Sequence, residues 1–191
     1  MTRRHATVPT AIGELLVVAD GDALAGVYFP GHWHPPAEGS IGVEVDARGD
    51  ALFERLATQL DDYLAGRRAA FELPIAATGD AFQQAVWAML REIPYGQTTS
   101  YGELAERLGD RGLARRVGQA VGRNPLSILV PCHRVVGANG SLTGYAGGLE
   151  RKRRLLELEG APVVAQGRCS DQSARLSRAR LSRARRRGRA P

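Results

Sequence analysis

The spacing of apolar residues changes twice along the chain. Leu15–Val18 and Leu24–Phe29 are apolar runs separated by Asp20-Gly21-Asp22, turn chemistry that predicts a hairpin. Gly31-His32-Trp33-His34-Pro35-Pro36 reads as a loop, because paired prolines remove donors and disfavour helix. Ile41, Val43 and Val45 then alternate with Gly42, Glu44 and Asp46, the period of a half-buried strand. From Asp50 the period lengthens: Phe53, Leu56, Leu60, Tyr63 and Leu64 form one helical stripe, which Gly66 stops. Phe71 to Gly79, punctuated by Pro74, reads as a linker and places a domain boundary near residue 75.

Helices dominate beyond that point. Asp80 caps a helix with Phe82, Val86, Met89 and Leu90 on one face, ending before Pro94. Ser100-Tyr101-Gly102-Glu103 fits a capping box, which puts Tyr101 in a helix's first turn, with Leu104, Ala105 and Leu108 inward and Gly109 at the end. A second short helix, Leu113 to Val121, would turn Arg115, Arg116 and Gln119 outward. Two short helices across a glycine turn make a helix-turn-helix, although the same spacing fits an ordinary helix pair with a solvated basic face. Small residues Ala114, Gly118 and Ala120 would allow close approach to nucleic acid or to another helix. In Ile128–Gly137 apolar runs flank a polar Cys132-His133-Arg134 centre, a pattern that buries backbone and exposes selected side chains. Asn139-Gly140 marks a tight turn and Gly144–Gly148 a loop. A charged helix over Glu150 to Glu159 carries Leu155, Leu156 and Leu158 as its apolar residues.

Composition narrows the classes. The 191 residues are 43 % apolar, which excludes wholesale disorder, and no run approaches the ~20 apolar residues of a membrane helix. The start lacks a signal peptide's apolar stretch, so a cytoplasmic protein without membrane contact is expected. The net charge of +6 is divided unevenly, −6 over residues 1–95, +4 over 96–160 and +8 over 161–191, so a polyanion suits the second half. Lys152 is the only lysine; a GC-rich genome accounts for such an arginine bias as readily as function. In the tail, Arg175–Ala179 repeats directly as Arg180–Ala184 and runs into Arg185-Arg186-Arg187, a block expected to be disordered when free, which either holds polyanions without specificity or has no selected role.

Cys132 and Cys169 cannot build a disulfide scaffold, and neither belongs to a pair with zinc-ligand spacing. A thiol attacks as thiolate, and free cysteine titrates near ~8.5, so Cys132 needs help at neutral pH. His133 is a candidate base and Arg134 a nearby positive charge. Adjacent strand residues point to opposite faces, so this pair requires a turn or a bridging water. By itself the adjacency fits a buried, inert cysteine better than a nucleophile.

The wider context changes that balance. Pro131-Cys132-His133-Arg134-Val135 resembles the active-site signature of the O6-alkylguanine-DNA alkyltransferases, also called methylated-DNA–protein-cysteine methyltransferases. The likeness extends to Asn124-Pro125, Ser100-Tyr101, Arg115, Val136-Gly137, Gly144-Tyr145-Ala146-Gly147-Gly148-Leu149, Leu155 and Glu159-Gly160. It is detailed over about residues 80–160 and holds in outline over 10–75.

The resemblance implies an α/β N-terminal domain over 1–75, a small β-sheet with a helix that is ribonuclease H-like in the family. A mainly helical C-terminal domain with a winged helix-turn-helix follows over 76–164, and the arginine-rich tail fills 165–191. It also implies a suicide DNA repair protein that flips O6-alkylguanine from duplex DNA and moves the alkyl group irreversibly to Cys132. O4-alkylthymine is a further candidate substrate. His133 would activate Cys132 through a water, Glu159 would orient the imidazole, Tyr101 would protonate guanine N3, and Asn124 would stabilise the loop before the nucleophile. Arg115 would fill the gap left by the flipped nucleotide, with Arg116, Gln119, Arg123 and Ser100 as further DNA contacts. Tyr101, Val130, Pro131, Tyr145, Ala146 and Gly147 would wall the pocket.

No cofactor is implied. Some family members hold zinc in the N-terminal domain, but no cysteine precedes Cys132, so no metal is expected and His5, His32 and His34 read as solvated loop residues. Cys169 reads as an incidental exposed thiol. A monomer is expected, with clustering on DNA left open. Two other classes compete: a non-catalytic alkyl-lesion-binding protein on the same fold, which Cys132 argues against, and a Cys-His hydrolase, which needs an oxyanion site the sequence does not display.

Overall fold

Four strands and a helix form the first half. In a computed structural model, which describes residues 3–37 and 39–162, β2 (Leu15–Asp20) and β3 (Ala23–Tyr28) make the expected antiparallel hairpin. β1 (Arg3–Val8) pairs antiparallel with β2 and separates it from β4 (Val43–Glu44), giving the order β3-β2-β1-β4. The sequence reading had no strand at β1, since only Ala6 and Val8 of its residues are buried and no apolar run marks it.

The strand expected from the 41–45 alternation shrinks to two residues, and Val43 is exposed. Gly42 explains this: it sits at φ 78°, where a Cβ would lie 1.9 Å from the Arg3 carbonyl oxygen, so the pleat breaks there. His5 and His32 correct the solvated-loop expectation. His5 lies within β1 opposite Val18, while His32 is buried edge-on against Tyr28; His34 is exposed.

α1 (Ala51–Leu64) begins at Asp50, whose carboxylate accepts from Leu52 N and Phe53 N, and it buries Phe53, Leu56, Leu60 and Tyr63. The stretch after it is no free linker. Leu24 N donates to Pro74 O (2.8 Å) and Ala76 N to Leu24 O (2.8 Å), so this segment covers one part of the β3 edge. Residues 125–127 cover another, through Val27 N to Pro125 O (2.8 Å) and Ser127 N to Val27 O (3.0 Å). The second contact sets the chain approaching Cys132 directly on the sheet edge.

α2 (Ala81–Arg91) and α3 (Tyr101–Arg107) both open with complete capping boxes, Asp80 with Gln83 and Ser100 with Glu103. α4 (Ala114–Gly122) follows a 3₁₀ turn and packs against both α2 and α3. Trp87 of α2 is buried and donates its indole N–H to Ala120 O (2.9 Å), locking α2 to α4. β5 (Thr99–Ser100) and β6 (Val135–Val136) form a short parallel pair, and α5 (Leu149–Leu158) closes the fold. One continuous apolar cluster runs from Val17 and Phe53 through Leu104 and Val117 to Cys132 and Leu155. No helix among the described residues is long and apolar enough to cross a membrane. The arginine tail and Cys169 lie outside the described residues.

Candidate functional site

Cys132 sits in a turn, not on a strand. Residues Cys132–Arg134 form one 3₁₀ turn, with Cys132 N bonded to Val130 O (2.8 Å) and Arg134 N to Pro131 O (3.0 Å). The alternation that would separate neighbouring side chains on a strand therefore does not apply. The expectation that this polar centre is exposed fails: Cys132 is 4 % exposed, His133 0 % and Arg134 7 %. Each consequently needs a partner.

Asn124 partners the sulfur. Its side-chain amide donates to Cys132 Sγ (3.2 Å) and Val130 O (2.8 Å), while its Oδ1 accepts from Leu126 N (3.0 Å). The loop from Asn124 to Pro131 is thus tied across its neck to the nucleophile candidate. It also holds the buried Ile128 at φ 73°, a strained conformation for a β-branched residue. Burial pushes the Cys132 thiol up; the Asn124 amide and the Lys152 charge offset this only in part. The resting group is the thiol, and attack requires that its proton be taken.

His133 is placed to take it. Its Nε2 lies 2.9 Å from Glu159 Oε1, while its buried Nδ1 has no protein partner. Burial lowers the His133 pKa despite the carboxylate beside it, so the ring is neutral at pH 7. With the Nε2 hydrogen assigned to Glu159 by this network, Nδ1 carries the free lone pair. Glu159 also accepts from Arg134 Nε (2.9 Å), Gly96 N (3.2 Å) and the Tyr63 hydroxyl. Burial alone would raise the Glu159 carboxyl, but hydrogen bonds from His133 and Arg134 outweigh it and bring the pKa to about 2.

Arg134 therefore does not serve as the cation for Cys132. It pairs with Glu159 and donates to Ile93 O (2.6 Å). That position belongs to Lys152, fully buried on α5, whose Nζ donates to Thr143 O (2.7 Å), Gly144 O (3.2 Å) and Val135 O. Burial lowers its pKa to about 8. Sequence reasoning missed both Lys152 and Tyr63. A signal existed for the lysine: 152, 155, 156 and 159 have the spacing of a buried helical stripe. For Tyr63 it was a hydroxyl on an otherwise apolar stripe, which must find a partner when buried.

Beside Cys132 lies a cavity of about 40 Å³, lined by residues including Tyr101, Gly118, Tyr145, Ala146 and Trp33. Trp33 was read only as part of a loop. Val130, Pro131 and Gly147, expected as pocket walls, are buried outside this lining. The Tyr101 hydroxyl makes long bonds to Thr143 O (3.3 Å) and Gly144 O (3.5 Å), and its ring crosses α4 at Gly118, where a Cβ would lie 3.6 Å away. On the outer side Arg115, Gln119 and Arg123 are exposed. Arg116 has a partner of its own: its guanidinium stacks 4.0 Å over the Phe82 ring. The Ser100 hydroxyl accepts from Glu103 N (3.1 Å) as the α3 cap.

Comparison with known proteins meets this geometry. Residues 4–77 match the ribonuclease-like domain of 6-O-methylguanine DNA methyltransferase, and residues 81–161 match its DNA binding domain. The chain belongs to the methylated-DNA–protein-cysteine methyltransferase family. A family member from Mycolicibacterium paratuberculosis is 53 % identical over 155 residues, covering 81 % of this chain and 91 % of the relative. The solved O6-methylguanine methyltransferase of Mycobacterium tuberculosis aligns with a TM-score of 0.73 at 41 % identity, over 86 % of this chain and 96 % of that one. Mycobacterium tuberculosis OGT in complex with DNA aligns at 0.72 and 40 %, over 83 % and 95 %. In this methyltransferase the two halves are the small sheet domain and the helical DNA-binding domain expected from the sequence.

Proposed function

We propose that this chain repairs double-stranded DNA by taking the alkyl group of O6-alkylguanine onto Cys132, once per molecule. The observation that carries the reading is a buried thiol held by Asn124 beside a cavity, followed in the same turn by a neutral histidine fixed by an ionised carboxylate. Guanine O6 lies inside the duplex stack, out of reach of a buried sulfur, so the nucleotide must be turned out into the cavity.

The chemistry then needs few groups. His133 Nδ1 takes the Cys132 proton through a bridging water, and Glu159 stabilises the imidazolium. The thiolate forms an S–C bond to the alkyl carbon as the C–O6 bond breaks, leaving its electron pair on guanine. Tyr101 supplies a proton to N3, which neutralises that charge, and recovers one from solvent. Its hydroxyl is free for this role because its present bonds, at 3.3 and 3.5 Å, are long. Asn124 steadies both the sulfur and the loop behind it. The product is a thioether, which water does not hydrolyse back to the thiol, so each chain acts once.

Arg115, exposed on α4, fills the vacated stack, while Gln119, Arg123 and the more tethered Arg116 contact the strand nearby. We read the chain as a monomer of the cytoplasm, with a sheet domain over 1–75, a transfer domain over 76–164 and a basic tail. Arg115→Ala is expected to slow transfer from duplex DNA at least tenfold while changing transfer from free O6-benzylguanine less than threefold. Single-turnover assays on the two substrates check this; equal losses on both would remove Arg115 from nucleotide flipping. The direct test of the reading is transfer of labelled methyl from an O6-methylguanine duplex to Cys132.

A further inference from the structure

The cavity beside Cys132 has room for a few waters at about 40 Å³, far less than a purine with its alkyl group requires. Some wall must therefore move when a nucleotide enters. The α4 wall, Gly118 to Gly122, is fixed by the Trp87–Ala120 hydrogen bond and by the burial of Val117 and Val121. The 143–146 wall is held from behind, because Lys152 bonds the Thr143 and Gly144 carbonyls and Tyr145 and Ala146 are buried.

Trp33 is different. It comes from the N-terminal sheet domain, the residue is 59 % exposed, and it meets the opposite wall at Gly144, where a Cβ would lie 3.9 Å from its ring. The loop that carries it is nevertheless pinned. His32 is buried against Tyr28, His32 N bonds Phe29 O (3.1 Å), His34 N donates to His32 Nδ1 (3.1 Å), and Pro35-Pro36 follows. A pinned base thus presents one large, mostly exposed aromatic ring at the cavity.

We propose that Trp33 is the size-determining residue of the alkylguanine pocket, an indole that swings aside for the flipped base and then bears on its alkyl group. This rests on the function proposed above. Because Cys132 and Trp33 line the same small cavity, a ring close enough to cover the base also limits how far a substituent on O6 can extend. A methyl group fits under it, whereas a benzyl group must hold it open. Gly144 faces the same ring, since a Cβ there would lie in ordinary contact with Trp33 (3.9 Å) and the Tyr101 hydroxyl (3.6 Å).

The test compares second-order rates of transfer to Cys132 from two duplexes that differ only in O6-methylguanine or O6-benzylguanine. For Trp33→Ala the benzyl-to-methyl rate ratio should rise at least fivefold over wild type, and Trp33→Phe should fall between the two. A ratio that rises less than fivefold, including a parallel fall of both rates, overturns the proposal and leaves Trp33 as a general base-covering residue. Far-UV circular dichroism and the thermal midpoint confirm that an exposed substitution leaves the fold intact. If wild-type protein alkylates Cys132 from neither duplex, the repair function itself fails, a result separate from an unchanged ratio.

Discussion

Cys132→Ala should transfer no detectable alkyl group and still bind an O6-methylguanine duplex within about threefold of the wild-type affinity. The sulfur is the proposed acceptor and no second thiol among the described residues lines the cavity, so loss of transfer is expected to be complete. In the proposed reading, binding depends on other groups, chiefly Arg115, Tyr101 and the cavity wall. The substitution removes one small atom group from a site whose amide neighbour, Asn124, keeps its bonds to Val130 O and Leu126 N. The stability cost is therefore modest, about 1 kcal/mol, at the small end of losses from buried truncations. Electrophoretic mobility shifts and a labelled-methyl assay on the same preparation separate the two properties. Residual transfer by the alanine variant would place the acceptor elsewhere.

Glu159→Ala should be the most damaging single change to both fold and chemistry. Its carboxylate neutralises buried Arg134 and accepts from His133, Tyr63 and Gly96, groups drawn from three separate parts of the chain. Removing one partner of a buried ion pair costs about 3–5 kcal/mol, because the other charge stays buried without compensation. For a chain of this size each kcal/mol lowers the melting temperature by roughly 2–4 °C. Transfer should slow by about two orders of magnitude or more, since the carboxylate that fixes His133 is gone and only the Tyr63 hydroxyl, 3.4 Å from Nε2, is left to accept its hydrogen.

A double variant distinguishes the two effects. Glu159→Gln with Arg134→Met removes the buried charges together and should recover most of the stability without the rate. A matching recovery of rate would show that Glu159 acts only through folding. The same carboxylate predicts acid lability. Its folded pKa, about 2, lies below the ordinary 4.5, so its stabilisation is present above that ordinary value and is lost as pH falls toward 2. Thermal midpoints measured from pH 6 to pH 3 should fall for wild type, and the double variant should show a shallower fall.

Much of the helical framework was legible because it is locally encoded. Phe53, Leu56, Leu60 and Tyr63 repeat at helical spacing, and the Asp80 cap and the Ser100–Glu103 capping box mark the starts of α2 and α3 to the residue. The sheet was harder. β1 has little apolar alternation and is stabilised by the neighbours on either side, while the 41–45 alternation is interrupted by one glycine pressed against Arg3.

The site divides along the same line. Cys132 and its turn neighbours stand together in sequence, so the motif announces them. The pairing of His133 with Glu159 spans 26 residues and followed from family resemblance, with no local spacing to indicate it. Trp33, Tyr63 and Lys152 carry no such mark. Local pattern assigns them to a loop, a core stripe and a charged helix, and only packing brings them to Cys132 and His133. Arg134 shows the converse, since proximity in sequence offered it as the thiolate's cation and the fold commits it to Glu159.

The most direct measurement is the stoichiometry and position of transfer. Wild-type protein incubated with excess O6-methylguanine duplex should gain the mass of one methyl group per chain and stop, with the gain confined to the peptide containing Cys132. Continued demethylation beyond one equivalent, or a methyl group on Cys169 or any other residue in its place, would contradict the account.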